Sequence, residues 1–589
     1  MARTRGLAAL VGVAAIAFAP GAAAAPQAPF GHAGRWITDS QGRVVVFHGV
    51  NVVHKHPPYQ PAAYGFGEDD AVFLRHEGFN SARLGIIYKG LEPQRGQFDD
   101  GYLQAIADTA GVLEREGVFP LVDFHQDQYN ERFDGQGFPD WAVMDDGLPN
   151  EPDNGFPGNY LTMPALWRAF DHFWANDGGL QDDYAAAWKH AAEGLRPDPF
   201  LIGFDIFNEP WPGSQWQTCA QPAGCPQWDE GPLAEFNKRT FAAIRGVDDR
   251  RLLFYETHPL FNAGAQEYVP DTGDQRAGFS FHLYCLGATP GVPQAPGGDE
   301  GKESGCPYGE QRVFDGAETQ SQKTGDALLL TEFGATDDLS DIQRVVDEAD
   351  KAKVSWEYWA WWNRDVCCER PNEGVIKDPS KPPTPDNVKQ DKLGVLVRPY
   401  PSVTAGTPAK WSFDTTSKAF GLEYVAGRAD KKGAFPPGSQ TEITVPQRVY
   451  PTGYNVAVDG ARVASSPGAP VVTLHSLNGA DRIKVGITPA KSGTGAVLGV
   501  KRPYIRLTVK PKRVRAGQRV RFTFTAVSLS GGTRRPLRAV HIWFAHRRAT
   551  TNRRGKAVIR IALRRGRTGV KASKRGYVSG RAVVRVSAR

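Results

Sequence analysis

The residues of this 589-residue chain best suited to do chemistry are two glutamates that end apolar runs. Residues 204–210 read Phe-Asp-Ile-Phe-Asn-Glu-Pro, and residues 328–334 read Leu-Leu-Leu-Thr-Glu-Phe-Gly. Each run has the pattern of a buried strand ending on a carboxylate, Glu209 or Glu332. A strand covered on both faces is almost wholly apolar, and a charge at its C-terminal end is costly unless that end opens into a site. Two such carboxylates, distant in sequence, are the parts of a glycosidase. Glu209 suits the acid/base role, which needs a carboxyl held protonated near neutral pH by a partly apolar, negatively charged setting. Asn208 beside it could donate to a sugar 2-hydroxyl. Glu332 suits the nucleophile, with Arg83 and Tyr284 as candidate donors to it. Either glutamate alone would read as a salt-bridged strand end; the pair carries the argument.

Three more polar residues fall at strand ends. His125 and Asp127, in Asp-Phe-His-Gln-Asp at 123–127, alternate onto one face, and His282 sits similarly in Phe-His-Leu-Tyr at 281–284. They fit sugar-hydroxyl binding and orientation of the carboxylates. A metal site built from His125, Asp127 and His282 is the alternative. The run Trp-Glu-Tyr-Trp-Ala-Trp-Trp at 356–362 offers an apolar platform for a sugar ring, with Trp361 the first choice and Trp362 the next.

These residues need a frame that gathers strand ends. Apolar runs at 44–50, 80–84, 118–124, 201–208, 251–255, 278–283, 327–332 and 354–362 read as eight strands. Amphipathic helices at 102–116, 184–195, 232–245 and 339–352 alternate with them. Eight β-then-α units over residues 30–400 predict an α/β fold, a (β/α)8 TIM barrel. An open doubly wound sheet would want a Gly-rich turn after an early strand, and none is present. Residues 128–180, rich in aromatics such as Phe133, Phe138, Tyr160, Phe170 and Trp174, are either a packing layer or a wall of the cleft. Residues 285–325 read as a polar, Gly/Pro-rich insertion. Beyond Pro399, short alternating runs predict two β-sandwich domains, at 405–490 and 500–589, joined near 491–494. The second resembles an immunoglobulin-like sandwich.

Arg3, Arg5, the apolar stretch 7–19 and the alanines at 22–25 read as a signal peptide over residues 1–25, so the mature protein is expected to be secreted. Six cysteines fit export. Cys219 with Cys225 is the favoured disulfide, Cys285 with Cys306 the next, and adjacent Cys367 and Cys368 stay open. The net charge of +6 conceals an asymmetry. Residues 501–589 hold 27 Lys or Arg and no Asp or Glu, so the remainder carries all 64 acids against 43 bases. This basic domain could adsorb to an anionic membrane or cell-wall surface, or be only a well-solvated sandwich. An exported protein is not expected to meet nucleic acid, and the chain is expected to be a monomer.

The order of Arg83, His125, Asn208–Glu209, His282 with Tyr284, Glu332 and Trp361 resembles glycoside hydrolase family 5. Within it, Phe-His-Gly-Val-Asn-Val-Val-His-Lys at 47–55, Asp-Phe-His-Gln-Asp at 123–127 and Pro-Thr-Gly-Tyr-Asn-Val at 451–456 resemble the endoglycoceramidases and related glycosylceramidases. That resemblance implies a retaining hydrolase of the bond between sugar and ceramide, without metal or organic cofactor. It implies that Lys55 and Asp127 contact sugar hydroxyls and that the aromatic insert lines a ceramide channel. The alternative, an endo-β-1,4-glucanase or mannanase, would need an open groove with several aromatic platforms. A binding protein with a dead barrel would not need both glutamates.

Overall fold

A computed structural model describes residues 26–284, 306–362, 370–490, 504–530, 533–574, 577 and 579–588. Residues 1–25, expected above to be a signal peptide, residues 491–494, Cys285 and the pair Cys367–Cys368 lie outside the described residues. Eight parallel strands close into a barrel: β1 (His48–Val52), β2 (Ser81–Ile86), β3 (Phe119–Phe124), β4 (Gly203–Asp205), β5 (Leu252–Glu256), β6 (Ala277–Leu283), β7 (Ala327–Phe333) and β8 (Ser355–Tyr358). Helices α1 (Glu68–Glu77), α2 (Asp100–Arg115), α3 (Leu180–Leu195), α4 (Ala234–Arg245), α5 (Cys306–Thr324) and α6 (Leu339–Ala352) pack around it. Capping fixes several starts. Asp99 accepts from the Tyr102 amide ahead of α2, and Asp338 accepts from the Ser340 and Asp341 amides ahead of α6. The aromatic ring of Phe30 closes the barrel floor, edge-on to Phe47 and Phe119 at 5.3 and 5.1 Å.

Two expectations change. The run 44–50 is not one strand. Val44–Val45 pairs outside the barrel, and only from His48 does the chain enter β1. The polar insertion after β6 is helical in its second half, where α5 begins at Cys306.

The first C-terminal sandwich is not confined to residues beyond 405. Three strands near the N-terminus, Gly31–Ala33, Trp36–Thr38 and Val44–Val45, join Tyr400–Thr404, Gln440–Thr444, Val471–Ser476 and Ala461–Val463 in one seven-stranded sheet. A second sheet holds Thr407–Phe413, Phe420–Val425, Arg482–Pro489 and Tyr454–Asp459. This sheet thus takes strands from both sides of the barrel in sequence, before His48 and after Tyr358. Asp350 of α6 fastens the join: it accepts from Arg398 Nη1 at 2.7 Å and from Trp411 Nε1 at 2.7 Å. Arg398 is wholly buried, so its charge depends on that carboxylate and on Asp347 at 3.0 Å. Replacement Asp350→Ala should destabilise the protein by about 3 kcal/mol, read as a lower denaturant midpoint. An unchanged midpoint would show that the join does not rest on this contact.

Candidate active site

At the C-terminal ends of the barrel strands a single buried arginine organises the site. Arg83 on β2 has no exposed side-chain surface, yet four carboxylates surround it. Its Nη1 donates to Glu332 Oε1 at 2.6 Å, its Nε to Asp205 at 3.0 Å and its Nη2 to Glu256 at 2.8 Å. Asp123 lies 3.1 Å away. Asn208 Oδ1 accepts from Nη2 at 3.0 Å, and Asn51 Oδ1 from Nη1 at 3.3 Å. A planar five-donor cation suits this arrangement, which a lysine could not copy.

Local backbone features aim both glutamates. In β7 the ladder to β6 steps from Leu330 opposite Phe281 to Glu332 opposite His282, so Thr331 is an extra residue. Such a bulge re-aims the side chain that follows. Glu332 then meets Tyr284, whose hydroxyl donates to Oε2 at 2.7 Å. Glu209 has φ +48°, the left-handed region that a non-glycine residue occupies only when its surroundings hold it there. The Glu209 amide donates to Glu256 Oε2 at 2.8 Å, which supplies such a hold.

His282 joins the two glutamates. Its Nδ1 lies 2.9 Å from Glu209 Oε1 and 3.5 Å from Glu332 Oε2, and its Nε2 lies 3.2 Å from Glu256. Burial would strip its proton, but Glu256, Glu332 and Glu209 outweigh that and hold the imidazole charged well above its usual range. Burial raises the Glu209 carboxyl above its ordinary range, although charged His282 opposes the rise. Burial also works on Glu256, where His282 and Arg83 win and keep it lower than usual.

A second network stands across the cleft. Asp127 accepts from Lys55 Nζ at 2.6 Å and from Gln136 Nε2 at 2.9 Å, and its backbone bonds Gln136 in both directions. Burial alone would raise the Asp127 carboxyl, but Lys55 and His125 depress it well below the carboxylate range. His125 Nδ1 lies 3.0 Å from Asp123, and its ring stacks on Trp359 at 5.1 Å. Lys55 Nζ lies 4.4 Å over the same indole. The metal set of His125, Asp127 and His282 does not bring its ligand atoms together. Among the described residues the one cluster with metal-ligand spacing is Cys219, Cys225 and His258, and its two cysteines form a disulfide.

The cleft between these networks spans about 720 Å³, the open solvent at its mouth included. Its lining is mixed: Lys55, His125, Asp127, Glu209, Tyr284 and Glu332 are polar, and Phe156, Pro157, Leu161, Trp211, Pro259 and Leu260 are apolar. The aromatic insert therefore does both jobs foreseen for it. Phe133, Phe138, Phe170 and Phe173 are buried as a packing layer, while Phe156 and Leu161 face the cleft.

The tryptophan that lines the cleft is Trp359, not Trp361. β8 ends at Tyr358, so the next inward position, Trp359, reaches the cleft and donates from Nε1 to Glu373 at 2.9 Å. Trp361 is 1% exposed and packs on Phe73 outside the cleft. Trp362 packs on Phe66. Asn208 lies beneath the cleft rather than on its wall: its amide nitrogen donates to the Gln126 carbonyl at 2.8 Å. Sequence reasoning passed over Glu256, Glu373 and Asn51. For Glu256 the signal was there, since 252–256 is another apolar run ending on glutamate. Glu373 lies in a loop without a pattern.

A closed parallel barrel with paired glutamates at strand ends, linked by one charged histidine, has the architecture of a barrel glycosidase. Residues 39–365 match the family model "Cellulase (glycosyl hydrolase family 5)", and 398–487 match the "Glycoside hydrolase family 5 C-terminal domain". The chain belongs to glycoside hydrolase family 5. It is 32% identical over 452 residues to endoglycoceramidase I of Rhodococcus hoagii, covering 75% of this chain and 84% of that one. It is 31% identical over 423 residues to an endoglycoceramidase of Cyanea nozakii, covering 66% and 79%. Among solved structures it resembles endo-glycoceramidase II from Rhodococcus sp. in complex with ganglioside GM3. That match has 26% identity and a TM-score of 0.63, over 77% of this chain and 99% of that one.

Replacing Trp359 by Ala should lower kcat/KM by about five- to tenfold, as a lost aromatic contact worth roughly 1–1.5 kcal/mol implies. Trp361→Phe should lower stability and leave kcat/KM near wild type. The reverse pattern would return the platform to Trp361.

Proposed function

We propose that this protein is a retaining β-glycosidase that cleaves the bond between the sugar head group and ceramide in glycosphingolipids. The observation that carries it is the mixed lining of the cleft: Lys55, His125 and Asp127 offer charge to sugar hydroxyls, Phe156, Leu161 and Trp211 offer apolar surface to hydrocarbon, and Glu209 and Glu332 line the same cleft. Relatives named endoglycoceramidase support the substrate class. The polysaccharide alternative asks for platforms spread along an open groove, whereas this cleft combines Trp359 with the apolar side chains of Phe156, Leu161, Pro259 and Leu260.

In this reading Glu332 attacks the anomeric carbon while Glu209 gives its proton to the leaving ceramide oxygen, forming a glycosyl-enzyme. Water then attacks that intermediate, gives its proton to Glu209 and frees the sugar and Glu332. Tyr284 and Arg83 orient the attacking carboxylate. Lys55, His125 and Asp127 bind sugar hydroxyls above Trp359. Both carboxylates converge on His282 Nδ1, Glu209 Oε1 at 2.9 Å and Glu332 Oε2 at 3.5 Å, and membership of glycoside hydrolase family 5 supports retention. The basic segment beyond residue 500 serves the same task by holding the enzyme at anionic lipid.

Wild type should release intact oligosaccharide and ceramide from detergent-dispersed glycosphingolipids, and Glu332→Gln should lose at least about 10³-fold in kcat. Turnover of carboxymethylcellulose or mannan alone would keep the glycosidase and reject the lipid. The basic limb of the kcat/KM profile should report Glu209, which must be protonated in the first step. Charged His282 lowers that carboxyl, so His282→Asn should move the basic limb to higher pH. A limb that stays or moves down would assign it to another group.

A further inference from the structure

The basic sandwich presents two outer faces, and the chain treats them differently. One sheet contains β12 (Gly566–Ser573) and β13 (Gly580–Ser587), in which Lys571 stands directly opposite Arg581. Like charges opposite one another destabilise a sheet pair. Here the barrel answers them. Arg581 Nη2 donates to Asp69 at 2.9 Å and to Asp70 at 2.7 Å, and its Nη1 donates to the Pro379 carbonyl at 3.2 Å. Asp69 and Asp70 lie in the first turn of α1, the helix that follows β1, and Pro379 belongs to the loop after β8. Helix N-termini and the loops after strands lie on the catalytic side of such a barrel. The domain is therefore fastened to the cleft side.

The other sheet contains β9 (Tyr504–Lys510), β10 (Arg519–Ser530) and β11 (Lys556–Ala562). Its inner residues, among them Phe522, Phe524 and Ile559, are buried. Its outer face shows Arg506, Lys510, Arg519, Arg521, Lys556 and Arg560, all exposed. Arg521 stands directly opposite Arg560 in the ladder. No Asp or Glu exists between 501 and 589 to offset them, and among the described residues the barrel's carboxylates meet this domain at Arg581 rather than here. Between these cations Val558 is 41% exposed; the opposite sheet leaves Val583 exposed as well, but that sheet is the one engaged with the barrel through Arg581. A flat cationic face with an apolar centre complements a layer of lipid phosphates over hydrocarbon.

We propose that the outer face of β9, β10 and β11 is the surface by which this protein docks on an anionic phospholipid bilayer. This rests on the glycolipid reading above and specifies the element that serves it. The opposite sheet is engaged with the barrel on its cleft side, so docking and catalysis belong to one fastened body.

The test uses the full chain with phosphatidylcholine vesicles, with and without phosphatidylglycerol. The double variant Arg521→Glu/Arg560→Glu is compared with Arg567→Glu/Arg585→Glu, an equal charge reversal at a directly opposed pair in the other sheet. Wild type should sediment with phosphatidylglycerol vesicles, be released by added salt and ignore pure phosphatidylcholine. The first variant should bind at least about tenfold more weakly, and the second should bind as wild type does. Equal losses in both would overturn the face and leave only net charge. No loss in either would overturn the domain's part in binding. Wild-type capture of soluble polyphosphate without vesicle binding would replace lipid with an anionic polymer. Turnover of detergent-dispersed glycolipid by the same preparations reads the catalytic proposal separately, since Arg521 and Arg560 take no part in the cleft.

Discussion

The site depends on one buried cation. Taking a guanidinium out of water is unfavourable by several kcal/mol, and the protein offsets this by surrounding Arg83 with Asp123, Asp205, Glu256 and Glu332. These acids come from β3, β4, β5 and β7, so the ion network closes only when those strands are in register. The same contact that satisfies Arg83 fixes the position of Glu332. Excess negative charge then needs a further partner, and His282 fills that place by keeping its proton among three glutamates. Stability of the barrel top and readiness of the carboxylates are one electrostatic arrangement.

Glu256 shows how strain is handled within it. The left-handed backbone at Glu209 turns its carboxyl toward His282, and the Glu256 carboxylate receives the amide that this turn exposes. Glu256 also faces Arg83 and His282. One buried side chain thus connects the backbone of one catalytic candidate to the arginine that holds the other. Removing it would disturb geometry and charge together, so its effects should not add simply to those of its neighbours.

The accessory domains are attached by charge as well as by sheet pairing. Asp350 binds Arg398 and Trp411 at the first sandwich, and Asp69 with Asp70 binds Arg581 at the second. In both cases acids on barrel helices receive groups from beyond the barrel. The acidic excess of the catalytic region and the basic excess of the last 89 residues are therefore partly complementary inside the molecule.

The sequence by itself determined the barrel, both glutamates and their polar neighbours, because buried parallel strands are apolar and any charge at their ends stands out. It favoured the Cys219–Cys225 pairing, through the short loop that those cysteines close, and the folded chain holds that bridge. Which tryptophan meets the cleft was decided by where β8 stops, since period two alone admits Trp359 and Trp361 alike. Splitting of the 44–50 run required partners from residues 400–404 that no local pattern announces. Glu373 reached the cleft from an irregular loop, and Arg581 reached Asp69 and Asp70 across more than 500 residues of chain. Local periodicity records which face of an element is buried; only the folded chain records what that face is buried against.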